Sequence, residues 1–374
     1  MKILIFSMTC GEGHNSIAKS LKKEFENSFG SNVECEIMQT YGFDEGRIEK
    51  ENQRFLKTCK TIPHLYDMVW NMTRKRNFSK PSKIFDNEIK DCCDYFIEKI
   101  EEFNPNLIIC THTYAGGVVD KLIREGKIDK EILTATVVFD FCLSPYWEFS
   151  KNLDYIFSPM AEMTQDLIAR GYNEDQIVVT GIPVREQIIN CNKEKNGKGF
   201  TVLMIAGGNG IGNTFKVFKS IVKNCPDVNI IVINGRNKIS FNQIEEYIQA
   251  NKLTNIQNLG FVADIENYFA QADVFVSRCG GCGISEMLCF SAPFIIREKM
   301  IINEKINKKM FVEKGCALGM KRISDAGKLV KKLKDNPNLQ KEMACNCQKF
   351  AKPNATKEIV DFLVQKMQDR NNKN

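Results

Sequence analysis

Short apolar runs alternate with amphipathic stretches along most of the chain. KILIFS reads as a first strand, and SIAKSLKKEFENSF as a helix with Ile17, Ala18, Leu21 and Phe25 on one face. VECEIMQT is a second strand. A helical stretch from about Asn87 to Phe103 leads into PNLIICTH, and a helix from about Gly116 to Gly126 leads into LTATVVFDF. The strand DYIFSP, the helix AEMTQDLIARG and the strand IVVTGIPV close this half. The polar stretch REQIINCNKEKNGKGF then breaks the rhythm and is the best linker. Beyond it the alternation restarts with TVLMIAGG, NTFKVFKSIVKN, VNIIVINGRN, SFNQIEEYIQAN and IQNLGFV. It continues through IENYFAQA, DVFVSRCGG, GISEMLCFS and APFIIRE into terminal helices. Such alternation predicts α/β architecture, with parallel sheets covered on both faces. The expected organisation is two doubly wound domains, 1–184 and 198–350, with a terminal helix in 351–374 packing back on the first.

Composition narrows the class without naming a chemistry. The chain has 374 residues, 43% hydrophobic and 26% charged, as in a soluble globular protein. Its 15 cysteines sit mostly singly in apolar stretches, and read as reduced, buried hydrophobes. Met1 leads straight into a strand rather than a signal peptide, and no apolar run approaches the roughly 18–20 residues that span a bilayer. A cytoplasmic location is expected. The net charge of +6 is mild but uneven: Arg47 to Lys83 holds ten Lys or Arg against three Asp or Glu. Within that stretch Trp70 and Phe78 flank Arg74, Lys75 and Arg76. Basic and aromatic residues mixed in this way suit the headgroups of an anionic membrane. The other reading is a solvated helical excursion with its aromatics turned inward. No nucleic-acid motif accompanies the charge, so no nucleic-acid partner is expected.

In doubly wound sheets ligands bind beyond the carboxyl ends of strands, where helix N-termini offer free N–H groups. Four loops stand there. In CGEGHN, Gly11 and Gly13 permit a tight turn, and His14 opens the helix, where the dipole favours neutral imidazole. The other reading of His14 is a solvated histidine in a capping turn. GGNGIG places four glycines in six positions, Gly208 and Gly210 among them, and suits a diphosphate against backbone amides. Its spacing is not that of the dinucleotide fingerprint. In SRCGGCGISEM, Gly281 leads a helix with Ser285 and Glu286 in its first turn, and a carboxylate there suits a ribose diol. Cys279 and Cys282 have redox spacing but lack a second ligand pair. In TATVVFDFC, Asp140 ends a strand as a base, as an orienter of a histidine, or as a plain cap. His112 lies just past another strand end on the same side. The chain has no Asp-x-Asp triplet, no Gly-x-Ser-x-Gly and no His-Glu-x-x-His, so no metal site is expected.

With these loops in place the chain resembles the monogalactosyldiacylglycerol synthase and processive diacylglycerol glucosyltransferase family over roughly residues 1–350. GEGHNSIAKSL looks like its N-terminal glycine–histidine signature, and CTHTYAGG like its second histidine loop. The run from VVFDF through SPYW to VTGIPV is similar throughout. GFVADIENYFAQADVFVSRCGGCGISEMLCFSAPFII is similar to its UDP-sugar half. The resemblance implies the GT-B fold, two Rossmann-like domains facing a cleft. It implies inverting transfer of a hexose from a UDP-sugar to a membrane lipid, diacylglycerol first among acceptors. On this basis Glu286 holds the uridine ribose. Gly208, Gly210, Gly281 and Ser285 line the diphosphate, and Glu304 and Asn307 of NEKIN contact sugar or diphosphate. His14 and Asp140 stand on the acceptor side with Gly13 and His112, and either takes the acceptor proton. Trp70, Arg74, Lys75 and Arg76 form the membrane-facing insertion. No cofactor beyond the donor substrate is expected. Ser144 stands where the family often has histidine, and Asn303 where it has glutamine.

Two other readings share this plan: a UDP-sugar 2-epimerase, which needs no acceptor and more cleft carboxylates, and a non-catalytic UDP-sugar sensor. An oxidoreductase fits the glycine spacing poorly. The sequence leaves open the sugar, the lipid, the processivity and the oligomeric state.

Overall fold

The computed structural model describes residues 1–9, 13–61, 67–68, 70–71, 89–192, 199–206, 213–297 and 301–372. The chain forms two compact units. The first is built mainly from residues up to Glu186, together with the segment from Lys352 onward; the second is built mainly from Gln187–Ala351.

The first unit holds a parallel sheet of β1 (Lys2–Ser7), β2 (Glu34–Gln39), β3 (Leu107–Cys110), β4 (Leu133–Val137), β5 (Tyr155–Ser158) and β6 (Ile177–Val179). Its order is β2-β1-β3-β4-β5-β6, and all five pairings are parallel. Every residue of β3 and β4 is buried, as expected for strands covered on both faces. The helix Gly13–Phe29 buries Ile17, Ala18, Leu21 and Phe25, the stripe read from the sequence. The C-terminal helix Ala355–Asn371 lies against it. Phe362 meets Tyr155 and Phe157 edge-on at 4.8 and 5.7 Å, the Thr356 hydroxyl donates to the Val184 carbonyl at 2.9 Å, and Arg370 pairs with Asp154 at 2.7 Å. Gly181, at φ +104°, makes room for this return. A Cβ there would stand 2.5 Å from the Lys352 Cβ.

The second unit repeats the plan with β7 (Thr201–Ile205), β8 (Asn229–Ile233), β9 (Ile256–Leu259), β10 (Val274–Ser277), β11 (Phe294–Ile296) and β12 (Ala317–Gly319). Its order is β12-β11-β10-β7-β8-β9. Val202, Met204, Ile230, Val274, Val276 and Ile295 of the sheet pack against Val217, Phe218, Ile221, Val330 and Leu333 of the covering helices.

In each sheet one strand sends its chain to one side while the next element returns on the other. These switch points lie between β1 and β3 and between β7 and β10. The crevices at their carboxyl ends are where such folds bind ligands.

Several elements depart from the sequence reading. The helix expected over AEMTQDLIARG is a 3₁₀ turn, Ala161–Met163, followed by five helical residues, Thr164–Ile168, because Gly171 at φ +96° turns the chain toward β6. The helix expected from Gly116 begins at Thr113, since the His112 ring accepts the Tyr114 N–H and caps it. Trp70, expected on a membrane-facing surface, is buried at 8% exposure, the inward reading of that stretch. Arg74, Lys75 and Arg76 lie outside the described residues. Thirteen of the described cysteines are free thiols, ten of those buried. No described helix is long and apolar enough to cross a membrane.

Gly116 marks a close approach. A Cβ there would stand 2.4 Å from Ser150 Oγ and 3.1 Å from its Cβ. Gly116→Ala is expected to cost about 1–3 kcal/mol in denaturant unfolding, as overpacking does. Adding Ser150→Ala should recover part of that loss. Equal stability of the two Gly116→Ala proteins would show that the contact is slack.

Candidate active site

The first crevice is lined by the loops after β1 and β3. His14 stands in the first turn of the helix Gly13–Phe29 and is 4% exposed, which excludes the solvated reading. Its Nδ1 lies 2.6 Å from the Thr111 carbonyl oxygen. A carbonyl only accepts, so Nδ1 carries the proton and Nε2 carries the lone pair. His112 is arranged the other way. Its Nδ1 accepts the Tyr114 N–H at 3.1 Å, which leaves the proton of the neutral ring on Nε2. The His14 ring crosses two others, His112 at 4.4 Å and 69° and Phe139 at 4.0 Å and 62°. His112 and Phe139 are themselves nearly parallel, 11° apart. His14 thus sits in an aromatic notch that fixes its plane.

Burial holds His14 well below the usual histidine range, at about 4, against the opposing hydrogen bond to Thr111. Burial, and then the neighbouring His14, holds His112 well below that range too. Both rings are therefore neutral near pH 7. The sequence drew this neutrality from the helix dipole; burial in the fold is a further cause that the sequence did not show.

Asn15 answers why an asparagine follows the histidine. Its Nδ2 donates to Thr9 Oγ1 at 2.9 Å, Thr9 donates to Gln39 Oε1 at 2.8 Å, and Gln39 Nε2 returns to Asn15 Oδ1 at 3.1 Å. Ser7 Oγ adds a bond to Asn15 Oδ1 at 2.7 Å. This closed ring locks the carboxyl ends of β1 and β2 to the helix that carries His14. Asp140 is buried three residues beyond β4, and its carboxylate accepts the Phe141 N–H at 2.9 Å. The partner on His14 Nδ1 is thus a backbone carbonyl, where the sequence offered Asp140 as an orienter.

The second crevice begins after β10. The helix there, Gly281–Leu288, starts early enough to put Ser285 and Glu286 in its second turn rather than its first. Ser285 is buried and its hydroxyl donates to the Gly281 carbonyl at 3.1 Å, while Glu286 is half-buried. Neither Gly280, at φ −78°, nor Gly283 meets any atom within 4 Å at its Cβ position. Neither backbone conformation nor packing requires these two glycines, so the space they leave is open to a ligand. Glu304, from the helix Ile302–Glu313, pairs with Arg278 at 2.8 Å. Asn307, fully buried, donates to the Cys279 carbonyl at 2.8 Å. Gly208 and Gly210 lie outside the described residues. Among the described residues, no three His, Cys, Asp or Glu stand together as a metal would need.

Phe139, Thr111, Arg278 and Phe261 were not singled out from the sequence. Thr111 acts through its backbone and leaves no trace there. Phe261, just past β9, is 64% exposed with the Arg236 guanidinium carbon 5.8 Å from its ring centre, an open platform for a flat ring.

Residues 14–184 match the Monogalactosyldiacylglycerol (MGDG) synthase family, and residues 186–359 the Glycosyltransferase family 28 C-terminal domain. The two matches together span residues 14–359, so the chain is similar to the monogalactosyldiacylglycerol synthases and diacylglycerol glucosyltransferases over most of its length. It is 23% identical to the processive diacylglycerol beta-glucosyltransferase of Bacillus licheniformis, over 97% of this chain and 94% of that protein. It is 24% identical to a probable monogalactosyldiacylglycerol synthase, chloroplastic, of Glycine max, over 99% of this chain and 72% of that protein. Its fold superposes on the crystal structure of Acinetobacter baumannii MurG with a TM-score of 0.64 at 14% identity, covering 98% of this chain and 99% of that one. The fold is accordingly the two-domain GT-B type, and the protein is a glycosyltransferase.

The depressed His14 value has a stability consequence. The folded state disfavours imidazolium, so this contribution is complete above about pH 6.5 and is lost as pH falls toward 4, where both states are protonated. The full loss is roughly 3 kcal/mol. His14→Gln should flatten the pH dependence of unfolding by that amount across this window. A wild-type stability that is level from pH 6.5 to 4 would refute it.

Proposed function

We propose that this glycosyltransferase moves a hexose from a UDP-sugar to the hydroxyl of a membrane lipid, diacylglycerol first among acceptors, with inversion at the anomeric carbon. The observation that carries the reading is His14. A neutral imidazole, its Nδ1–H committed to a carbonyl and its plane held between two rings, keeps Nε2 as a fixed proton acceptor in a dry crevice.

The chemistry suits so weak a base. As the acceptor oxygen bonds to an oxocarbenium-like carbon, its proton becomes strongly acidic, so a base near 4 accepts it late in the step. His14 Nε2, its lone pair set by the Nδ1–H bond to the Thr111 carbonyl, takes that proton in preference to Asp140. The anomeric C–O bond breaks and UDP departs with the electron pair. Gly281, at the start of the helix Gly281–Leu288, presents N–H groups to the departing diphosphate, as Gly208 and Gly210 do in our reading. Glu286 holds the ribose diol, and Phe261 offers a face to the base. The acceptor enters past Gly13 and His112. The basic run with Arg74, Lys75 and Arg76 brings the protein to the cytoplasmic face of an anionic membrane.

UDP release from UDP-glucose and UDP-galactose, with and without anionic vesicles containing diacylglycerol, tests the reading. Release should require the vesicles and vanish in Glu286→Ala. His14→Ala should lower kcat by about 10²–10⁴-fold, the usual effect of removing a general base. Measurable UDP binding with no vesicle-dependent release would favour the sensor reading, and full turnover by His14→Ala would remove His14 from the mechanism.

A further inference from the structure

A departing nucleoside diphosphate needs positive charge near it, and helix N-termini supply only partial charge. Arg278 brings a full cation to the second switch point. It is the first residue past β10, beside the glycines that lead into the helix Gly281–Leu288. Its Nη2 donates to Glu304 Oε2 at 2.8 Å. Its side chain is 19% exposed and that of Glu304 8%. Arg278 Nε is buried with no hydrogen-bond partner, although a buried donor left unmade costs about 1–3 kcal/mol. A guanidinium has five donors in a rigid fork suited to phosphate oxygens. One of them goes to Glu304, and the buried Nε lacks an acceptor in the ligand-free protein. Asn307, one turn beyond Glu304 on the same helix, holds the Cys279 carbonyl and so grips the backbone next to Arg278.

We propose that Arg278 binds the diphosphate of the donor, and that Glu304 is a positioning residue that holds the guanidinium in place rather than a ligand of the sugar. This inference rests on the UDP-sugar reading above. Without ligand, Glu304 neutralises a cation that would otherwise stand half-buried and alone. With the donor bound, the diphosphate supplies the acceptors the fork lacks and shares the cation with Glu304. The carboxylate then opposes the incoming anion, so it limits how tightly the enzyme retains the UDP product.

Calorimetric titration of the full chain with UDP and with uridine separates the parts, because only UDP carries the diphosphate. Wild type should bind UDP far more tightly than uridine. Arg278→Gln should weaken UDP at least tenfold and leave uridine within twofold, with Arg278→Lys in between. Glu304→Gln, which keeps an acceptor for the fork but removes the opposing charge, should bind UDP at least threefold more tightly. A merely structural Glu304 would not improve binding. Parallel loss of UDP and uridine in both Arg278 variants, or an unchanged UDP affinity in Glu304→Gln, overturns the proposal while the donor reading stands. Failure of the wild type to bind UDP overturns both.

Discussion

One hydrogen bond, from the His14 imidazole to the Thr111 carbonyl, ties together the two strands whose parting makes the first crevice. Thr111 follows β3 and His14 follows β1, so the bond spans the switch point itself. It decides the tautomer, and with it which nitrogen keeps a lone pair. The stacked geometry of His112 and Phe139 then has only to hold a plane that the bond has already chosen. Without the sheet order β2-β1-β3 these residues, 97 positions apart, would have no reason to meet.

The polar ring of Ser7, Thr9, Asn15 and Gln39 serves the same end. The ends of β1 and β2 and the start of the helix that carries His14 are tied by side chains whose donors and acceptors satisfy one another. Each member depends on the others, so the ring favours one arrangement of these four residues over many.

Periodicity revealed the two doubly wound halves because parallel strands buried on both faces leave continuous apolar runs such as LIIC. It overextended short elements. Nothing in AEMTQDLIARG tells a full helix from one cut off by Gly171 at positive φ. The loops that carry His14, His112 and Glu286 were legible because glycines and polar residues cluster there just past the strand ends. The Thr111 carbonyl was not, since a backbone atom has no residue type. The Arg278–Glu304 pair was not, because 26 residues separate its members and only the fold joins them. Trp70 misled because composition reports which side chains a stretch owns, not which way they turn.

The two switch points differ in what they do with charge, and the difference fits the substrates proposed for them. The first suppresses it: two imidazoles are kept neutral by burial, among aromatic rings. A lipid hydroxyl is neutral, and a dry site lets it approach the reacting carbon without competing water. The second retains charge in a pair, Arg278 with Glu304, beside glycines that leave open space. A nucleoside diphosphate is an anion, and a cation already partly desolvated and held by Glu304 needs little reorganisation to receive it. One fold, used twice, thus sets neutral imidazoles at one crevice and a charged pair at the other. The distinction lies in a few residues just past β1, β3 and β10, while the strands that carry them remain interchangeable apolar runs.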